Sequence, residues 1–385
     1  MKVAAIICEY NPFHNGHEYL IQSAKEQTKA DYIIAIMSGN FVQRGEPAII
    51  DKWARAKSCL RAGVDMVVEL PCFASFAPAN LYAYYGVKTA CQLGVVDYLV
   101  FGSEKGLTAN ELRKLAEEAD GNNAGFTEKL RENLASGMSY AASISKSYGF
   151  EPGPNDILGI EYLRALTKLN SNIVPFPILR TQSKNVTSAS SLRVKISSGE
   201  INHCRNFMSE NSFNILKEEI QSGKAPVLIR NYENAIIASL RSKTTEDIRN
   251  LPFVSEGLEY AIYKNALAHG TLEGLISAST CARYTSSRIR RICLASLLGI
   301  KAQDLNHSPG FIKIIGFRKN AGSLIDAITS KSVIPVDISL SKLATSDKYF
   351  AGLAARCTDV YTLGYPQASK RLGDKEYTHS GVFEI

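Results

Sequence analysis

The residues with the clearest chemical meaning are two imidazoles three residues apart, His14-Asn15-Gly16-His17, placed shortly after the first apolar run of the chain, Val3–Cys8. Imidazoles at the start of a helix can hold a phosphate and donate to the charge that builds as pyrophosphate leaves. The chemistry this suggests is attack on the α-phosphate of ATP, with His14 and His17 as catalytic donors. Gly16 has no Cβ, so a nucleotide could lie against the backbone there. Glu9-Tyr10-Asn11-Pro12-Phe13 makes the loop between run and helix, and its proline cannot continue a strand.

Those histidines need a scaffold, and the first half of the chain supplies one. Apolar runs at Val3–Cys8, Tyr32–Met37, Met66–Leu70, Tyr98–Phe101 and Ile173–Leu179 alternate with amphipathic stretches near Glu18–Thr28, Lys52–Ala62 and Leu81–Leu93. This is βαβα order, which predicts an α/β fold with a Rossmann-like parallel sheet covered by helices on both faces. Leu107–Ser139 reads as two helices inserted before the last of these strands, and Asn155–Thr167 as another helix with Pro154 and Asn155 at its start. Beyond about Cys204 the alternation stops. Ser212–Ser222, Thr244–Ala268, Leu272–Ala278 and Ser286–Leu298 all read as helical, and a short mixed segment from Phe311 through Ser332–Ile338 closes the chain. The organisation expected is a nucleotide-binding catalytic domain over 1–203 followed by a mainly helical domain over 204–385.

Ligands of such sheets bind beyond the carboxyl ends of the strands, which selects further candidates. Ser38, Gly39, Asn40, Gln43 and Arg44 follow the second strand in a glycine- and amide-rich loop suited to a small carboxylate or a phosphate, where Arg44, Lys52 and Arg55 could add charge-assisted hydrogen bonds. Gly102 ends the fourth strand, where a nucleoside could approach the backbone. Asn155 begins a helix and reads as a ligand contact or as an N-cap. Arg180 emerges after the last strand, as a phosphate contact or an ion-pair partner. Thr187-Ser188-Ala189-Ser190-Ser191-Leu192-Arg193 is a hydroxyl-rich helix cap, a second phosphate clamp through Ser188 and Ser190.

The formal net charge of +7 is concentrated. Between Cys281 and Asn320 stand eight basic residues and one acid, whereas the rest of the chain is balanced, 36 against 36. A local surplus of this kind suits a polyanion. Arg283, Arg288, Arg290 and Arg291 flank or lie on the Ser286–Leu298 helix, with Tyr284 as a possible stacking ring. The eight cysteines are scattered singly, with no CxxC pair, so no zinc knuckle or disulfide framework is expected and no metal ligands are assigned. The start of the chain lacks a cleavage-site pattern and the apolar runs are short, so neither a signal peptide nor a membrane span is expected, and the chain reads as cytoplasmic.

HxGH after the first strand and a Ser-Ser-Arg cap after the last resemble the HIGH-motif nucleotidyltransferase superfamily. The cap departs from the usual ISSTxIR, with Ala189 for the second serine and Ser190 for the threonine, and no KMSKS is present. The blocks Cys8–His17, Met37–Gly45, Asn155–Tyr162 and Arg283–Arg291 resemble one family more closely, the bacterial tRNA(Met) cytidine acetate ligases, over nearly the whole chain. Asp156 departs from the asparagine expected there and adds an acid near the nucleotide. The resemblance implies that acetate and ATP, with Mg²⁺, give acetyl-adenylate, and that the acetyl group passes to the wobble cytidine of elongator tRNA(Met), with no role for DNA or membrane. It implies ATP contacts at Ile7, Cys8, Glu9, Tyr10, Asn11, Pro12, Phe13, His14, Asn15, Gly16, His17, Glu18, Tyr19 and Leu20, then Gly102, Asn155 and Arg180. The arginine block would hold the RNA. A small-molecule adenylyltransferase, or a non-catalytic RNA-binding protein, is the alternative reading of the same residues.

Overall fold

A computed structural model of the chain describes residues 1–122, 124–138, 140–148, 152–180, 187–255 and 257–384. Ten strands occur among them: β1 (Val3–Cys8), β2 (Tyr32–Ser38), β3 (Phe41–Val42), β4 (Glu46–Pro47), β5 (Met66–Leu70), β6 (Tyr98–Ser103), β7 (Val174–Leu179), β8 (Ile312–Arg318), β9 (Val336–Asp337) and β10 (Val382–Glu384). The main sheet has the order β10-β8-β5-β2-β1-β6-β7, with β9 beside β8, while β3 and β4 form a separate antiparallel hairpin. From β5 to β7 all pairings are parallel. The order steps outward from β1 in both directions, so the switch point lies between β1 and β6, where open α/β sheets bind their ligands.

The near-continuous apolar strands are explained by burial on both faces. Val3, Ala5 and Ile7 of β1 and Ile34 and Ile36 of β2 enter one core; Ala4, Ile6, Cys8, Ile33, Ala35 and Met37 enter the other. Alternate residues of one strand therefore serve two cores, the period-2 rule applied on both faces. Helices Asn15–Thr28 and Lys52–Arg61 contribute to the second core, and Ala79–Leu93 and Pro154–Lys168 to the first. The inserted helices fall at Ala109–Glu117 and Ala124–Ala135, and Ser139 lies outside the described residues.

The second half is largely helical, and its core is continuous with the first: Ile236, Ile289, Leu294 and Leu353 join the cluster that contains Val3 and Val68. Two features differ from expectation. Thr244–Ala268 is two helices, Thr245–Arg249 and Leu258–Ala268, because Pro252 lacks the N–H that a continuous helix needs. The closing mixed segment also returns to the main sheet: β8 lies antiparallel against β5, and β10 pairs with β8. No helix among the described residues is long and apolar enough to cross a membrane.

The returning segment is held by buried charge. Glu376 lies between Lys52 and Lys313 and accepts from Thr358, and Lys52 also pairs with Glu69 at 2.6 Å. Removing one partner of such a group leaves an uncompensated buried charge. Glu376→Ala should therefore destabilise the fold by roughly 3–5 kcal/mol, seen as a lower urea midpoint, with Glu376→Gln intermediate.

Candidate active site

The Asn15–Thr28 helix starts with a capping box built from the two imidazoles. His14 is the N-cap and its Nδ1 accepts from the Gly16 N–H at 3.0 Å, while His17 Nδ1 accepts from the His14 N–H at 3.2 Å. Because each Nδ1 is an acceptor, each neutral ring carries its proton on Nε2. The rings stack, centroids 3.7 Å apart. Burial, and then the Arg180 guanidinium, push His14 down to about 4; burial, then His14 and Arg180, hold His17 well below the usual histidine range. The site thus presents two neutral N–H donors at a helix N-terminus. Tyr10 and Phe13 pack around His17, with centroids 5.0 and 5.6 Å from it.

Beside them is a shallow cleft lined by Gly16, His17, Tyr19, Leu20, Gly102, Asn155, Ile178, Leu179 and Arg180. The fold thus brings together at the β1/β6 switch point residues from four expected segments, the histidine stretch, Gly102, Asn155 and Arg180. At Gly102 a Cβ would stand 3.0 Å from Arg180 Cγ, so glycine lets that side chain cross the strand end. Ile178 and Leu179 are lining residues that the sequence did not single out. Ile7, Cys8, Tyr10 and Phe13 have their side chains in the cores, leaving their backbone to face a ligand.

Glu104 organises the rim. It accepts from the Asn155 backbone N–H at 2.9 Å and from the Asn155 side chain, and pairs with Arg180 at 3.1 Å. Asp156 is buried and accepts from Ser103 Oγ at 2.5 Å and from the backbone N–H groups of Gly153, Glu104 and Lys105. Its carboxylate is consumed by the turn after β6, which accounts for an acid at this helix start. Across the loop, Ser188 caps the Ala189–Ser197 helix, and Arg193 donates to Ser190 Oγ and to the Asn11 carbonyl, at 3.1 and 2.9 Å. The hydroxyl cap is thereby tied to the histidine loop.

The loop after β2 carries the β3–β4 hairpin. Ser38 and Asn40 are buried, and Arg44 is exposed. Lys52 and Arg55, expected to reach a ligand, do not. Lys52 is enclosed with Glu69 and Glu376, and Arg55 donates to the carbonyls of Glu9, Ser38, Gly39 and Ile50. Of the arginine block, Arg288 bonds the Phe253 carbonyl and Ser255 and lies over the Tyr284 ring, near which Arg283 also stands. Arg291 donates to the Gln43 carbonyl at 2.8 Å, and Arg290 pairs with Glu46 at 3.0 Å. At Gly45, with φ +74°, a Cβ would stand 2.7 Å from the Arg291 nitrogen, so the hairpin rests directly on this helix. The sequence offered no signal for that contact.

The chain matches the family described as HIGH Nucleotidyl Transferase over residues 1–376. It is 37% identical to the tRNA(Met) cytidine acetate ligase of Acetivibrio thermocellus, covering 99% of each chain. It is 38% identical to that of Thermoanaerobacter pseudethanolicus, covering 96% of this chain and 97% of the other. The structure of Thermotoga maritima TmcAL bound with alpha-thio ATP aligns with a TM-score of 0.92 at 31% identity, covering 100% of both chains.

The imidazole arrangement has a spectroscopic consequence. Nitrogen NMR should show His14 and His17 as Nε2–H tautomers, with His14 titrating near 4. An unfolded histidine binds its proton near 6.5, so His14 should leave stability unchanged above that pH. As pH falls from there toward 4, the unfolded state takes up the proton first and stability declines.

Proposed function

Because the chain belongs to the HIGH nucleotidyl transferase family and, within it, to the tRNA(Met) cytidine acetate ligases, it is a ligase forming a carbon–nitrogen bond, and we propose that it acetylates the exocyclic amine of the wobble cytidine of elongator tRNA(Met) through acetyl-adenylate. The observation that carries this reading is the stacked pair of neutral Nε2–H donors at a helix start, beside a cleft at the β1/β6 edge that contains Arg180.

In the first step a carboxylate oxygen of acetate attacks the α-phosphorus of ATP and the bond to pyrophosphate breaks. His14 and His17 donate Nε2–H hydrogen bonds to the phosphate oxygens as charge grows, and as neutral imidazoles they act as donors without giving up the proton. Arg180 adds a guanidinium at the same edge. Gly102, Asn155, Tyr19 and Leu20 seat the nucleoside, and Ser188 and Ser190 approach the outer phosphates. The described residues bring together no three His, Cys, Asp or Glu side chains that could hold a metal. Magnesium bound with ATP would supply positive charge at the outer phosphates. Ser38, Gly39, Asn40, Gln43 and Arg44 frame the acetate side. In the second step the cytidine amine attacks the acetyl carbon and AMP leaves.

Residues 1–203 carry the nucleotide chemistry in this reading, and 204–385 dock the RNA while lending β8, β9 and β10 to the sheet. Arg283, Tyr284, Arg288, Arg290 and Arg291 form the RNA-facing block, and the reaction takes place in the cytoplasm. DNA and membrane have no part.

Purified protein incubated with ATP, Mg²⁺, radiolabelled acetate and total bacterial tRNA should place label in acetylcytidine of the elongator tRNA(Met), with ATP required. Pyrophosphate release without label in RNA would favour a small-molecule adenylyltransferase instead. His17→Ala should lower adenylate formation by roughly 10²–10³-fold while tRNA binding survives, as a filter-binding assay would read. Arg180→Ala should raise the ATP concentration needed for half-maximal rate.

A further inference from the structure

Arg290 is the member of the arginine block that has a carboxylate partner on the catalytic side of the molecule. Its guanidinium meets Glu46 of β4 at 3.0 Å, with the two side chains 31% and 25% exposed. The neighbouring contacts are of another kind: Arg291 is half-buried and bonds the Gln43 carbonyl, and Gly45 sits on the backbone of Arg290 and Arg291. Gln43 in turn donates its N–H to Glu9 at 2.7 Å, at the end of β1. A single turn of helix therefore holds the hairpin twice, once by a bond to a main-chain carbonyl and once by an ion pair partly open to solvent.

We propose that Glu46 is an internal stand-in for an RNA phosphate, occupying Arg290 until RNA displaces it, so that RNA docking and the set of the 38–47 hairpin are coupled. The inference rests on the RNA-ligase reading above. Three observations support an exchange of partner. The pair is open to solvent, and exposed pairs of this kind hold weakly. A phosphate accepts the same bidentate donation as a carboxylate. Glu46 also lies in the field of Arg193, so that its released carboxylate keeps a cation nearby. Arg291 stays on Gln43 throughout and keeps the hairpin attached. Coupling of this sort is reciprocal: whatever RNA does to the hairpin, a ligand held by the hairpin does to RNA affinity.

The test is a double-mutant cycle in the full-length protein, with elongator tRNA(Met) titrated across a salt series. Glu46→Gln should tighten binding roughly two- to fivefold, the range expected on removing a weak competing pair. Arg290→Ala should weaken binding and reduce the salt slope by about 0.7–0.9, the share of one phosphate. In the Arg290→Ala background, Glu46→Gln should have no effect. Amide exchange at Gln43 and Gly45 should rise when tRNA is added to the wild type and change less in Glu46→Gln. Unchanged affinity in Glu46→Gln, or an equal gain with and without Arg290, would overturn the proposal. If the wild type binds no tRNA at all, it is the RNA reading that fails, and exchange at the hairpin separates the two results.

Discussion

The site depends on one buried guanidinium. Arg55 is fully enclosed, and every hydrogen bond it makes is to a main-chain carbonyl: Glu9 at the end of β1, Ser38 and Gly39 at the end of β2, and Ile50 after the hairpin. A cation without a bonded carboxylate is expensive to bury. Here it donates to carbonyls at two strand ends, and the Asp51 and Glu9 carboxylates supply its field. The effect is geometric. Gathering the carbonyls at the ends of two neighbouring strands on one planar donor fixes the loops that follow relative to one another.

From that anchor the remaining parts take their places. The loop leaving β1 turns through Asn11, whose side chain accepts from the Ile49 N–H at 2.8 Å, and reaches the helix at the histidine cap. The loop leaving β2 passes Asn40, which accepts from Lys52 N and donates to Thr358. Thr358 belongs to the C-terminal helix Lys348–Thr362, and the same helix sends Tyr361 to the Ala48 carbonyl. The helical half is therefore not a separate body beside the nucleotide site. It closes the loops whose other side faces the ligand, with the Thr358 and Tyr361 hydrogen bonds, the Arg290 and Arg291 contacts to the hairpin, and one enclosed group of charges.

How much of this could be read beforehand follows from the range over which each signal acts. The strands, the helix starts and the HxGH cap are local patterns, and they stand where periodicity and capping chemistry put them. Leu179 was legible only as the end of a strand; that it lines the cleft follows from pairing in register with Ser103. Lys52 and Arg55 lie on a helix whose sequence alone makes their charge look available to ligands. Their burial depends on Glu376, 324 residues away from Lys52, and on carbonyls from four loop positions. Pro252 was a readable break within a longer helical pattern. By contrast, β10 is three residues long, too short for any periodicity to identify.

The closing arrangement of Glu376 orders events during synthesis. Every parallel strand of the nucleotide site, and the histidine cap with them, belongs to the first 180 residues, and those can pair as they leave the ribosome. Until β8 is made, however, the edge of β5 is open, and Lys52 has Glu69 but not its second carboxylate. The nascent chain thus carries a nearly finished nucleotide site with one unprotected edge and a lysine that has yet to gain its second carboxylate. Both are completed within the last quarter of translation. Chain order alone then favours a protein that becomes rigid at its catalytic loops only when nearly all of it exists.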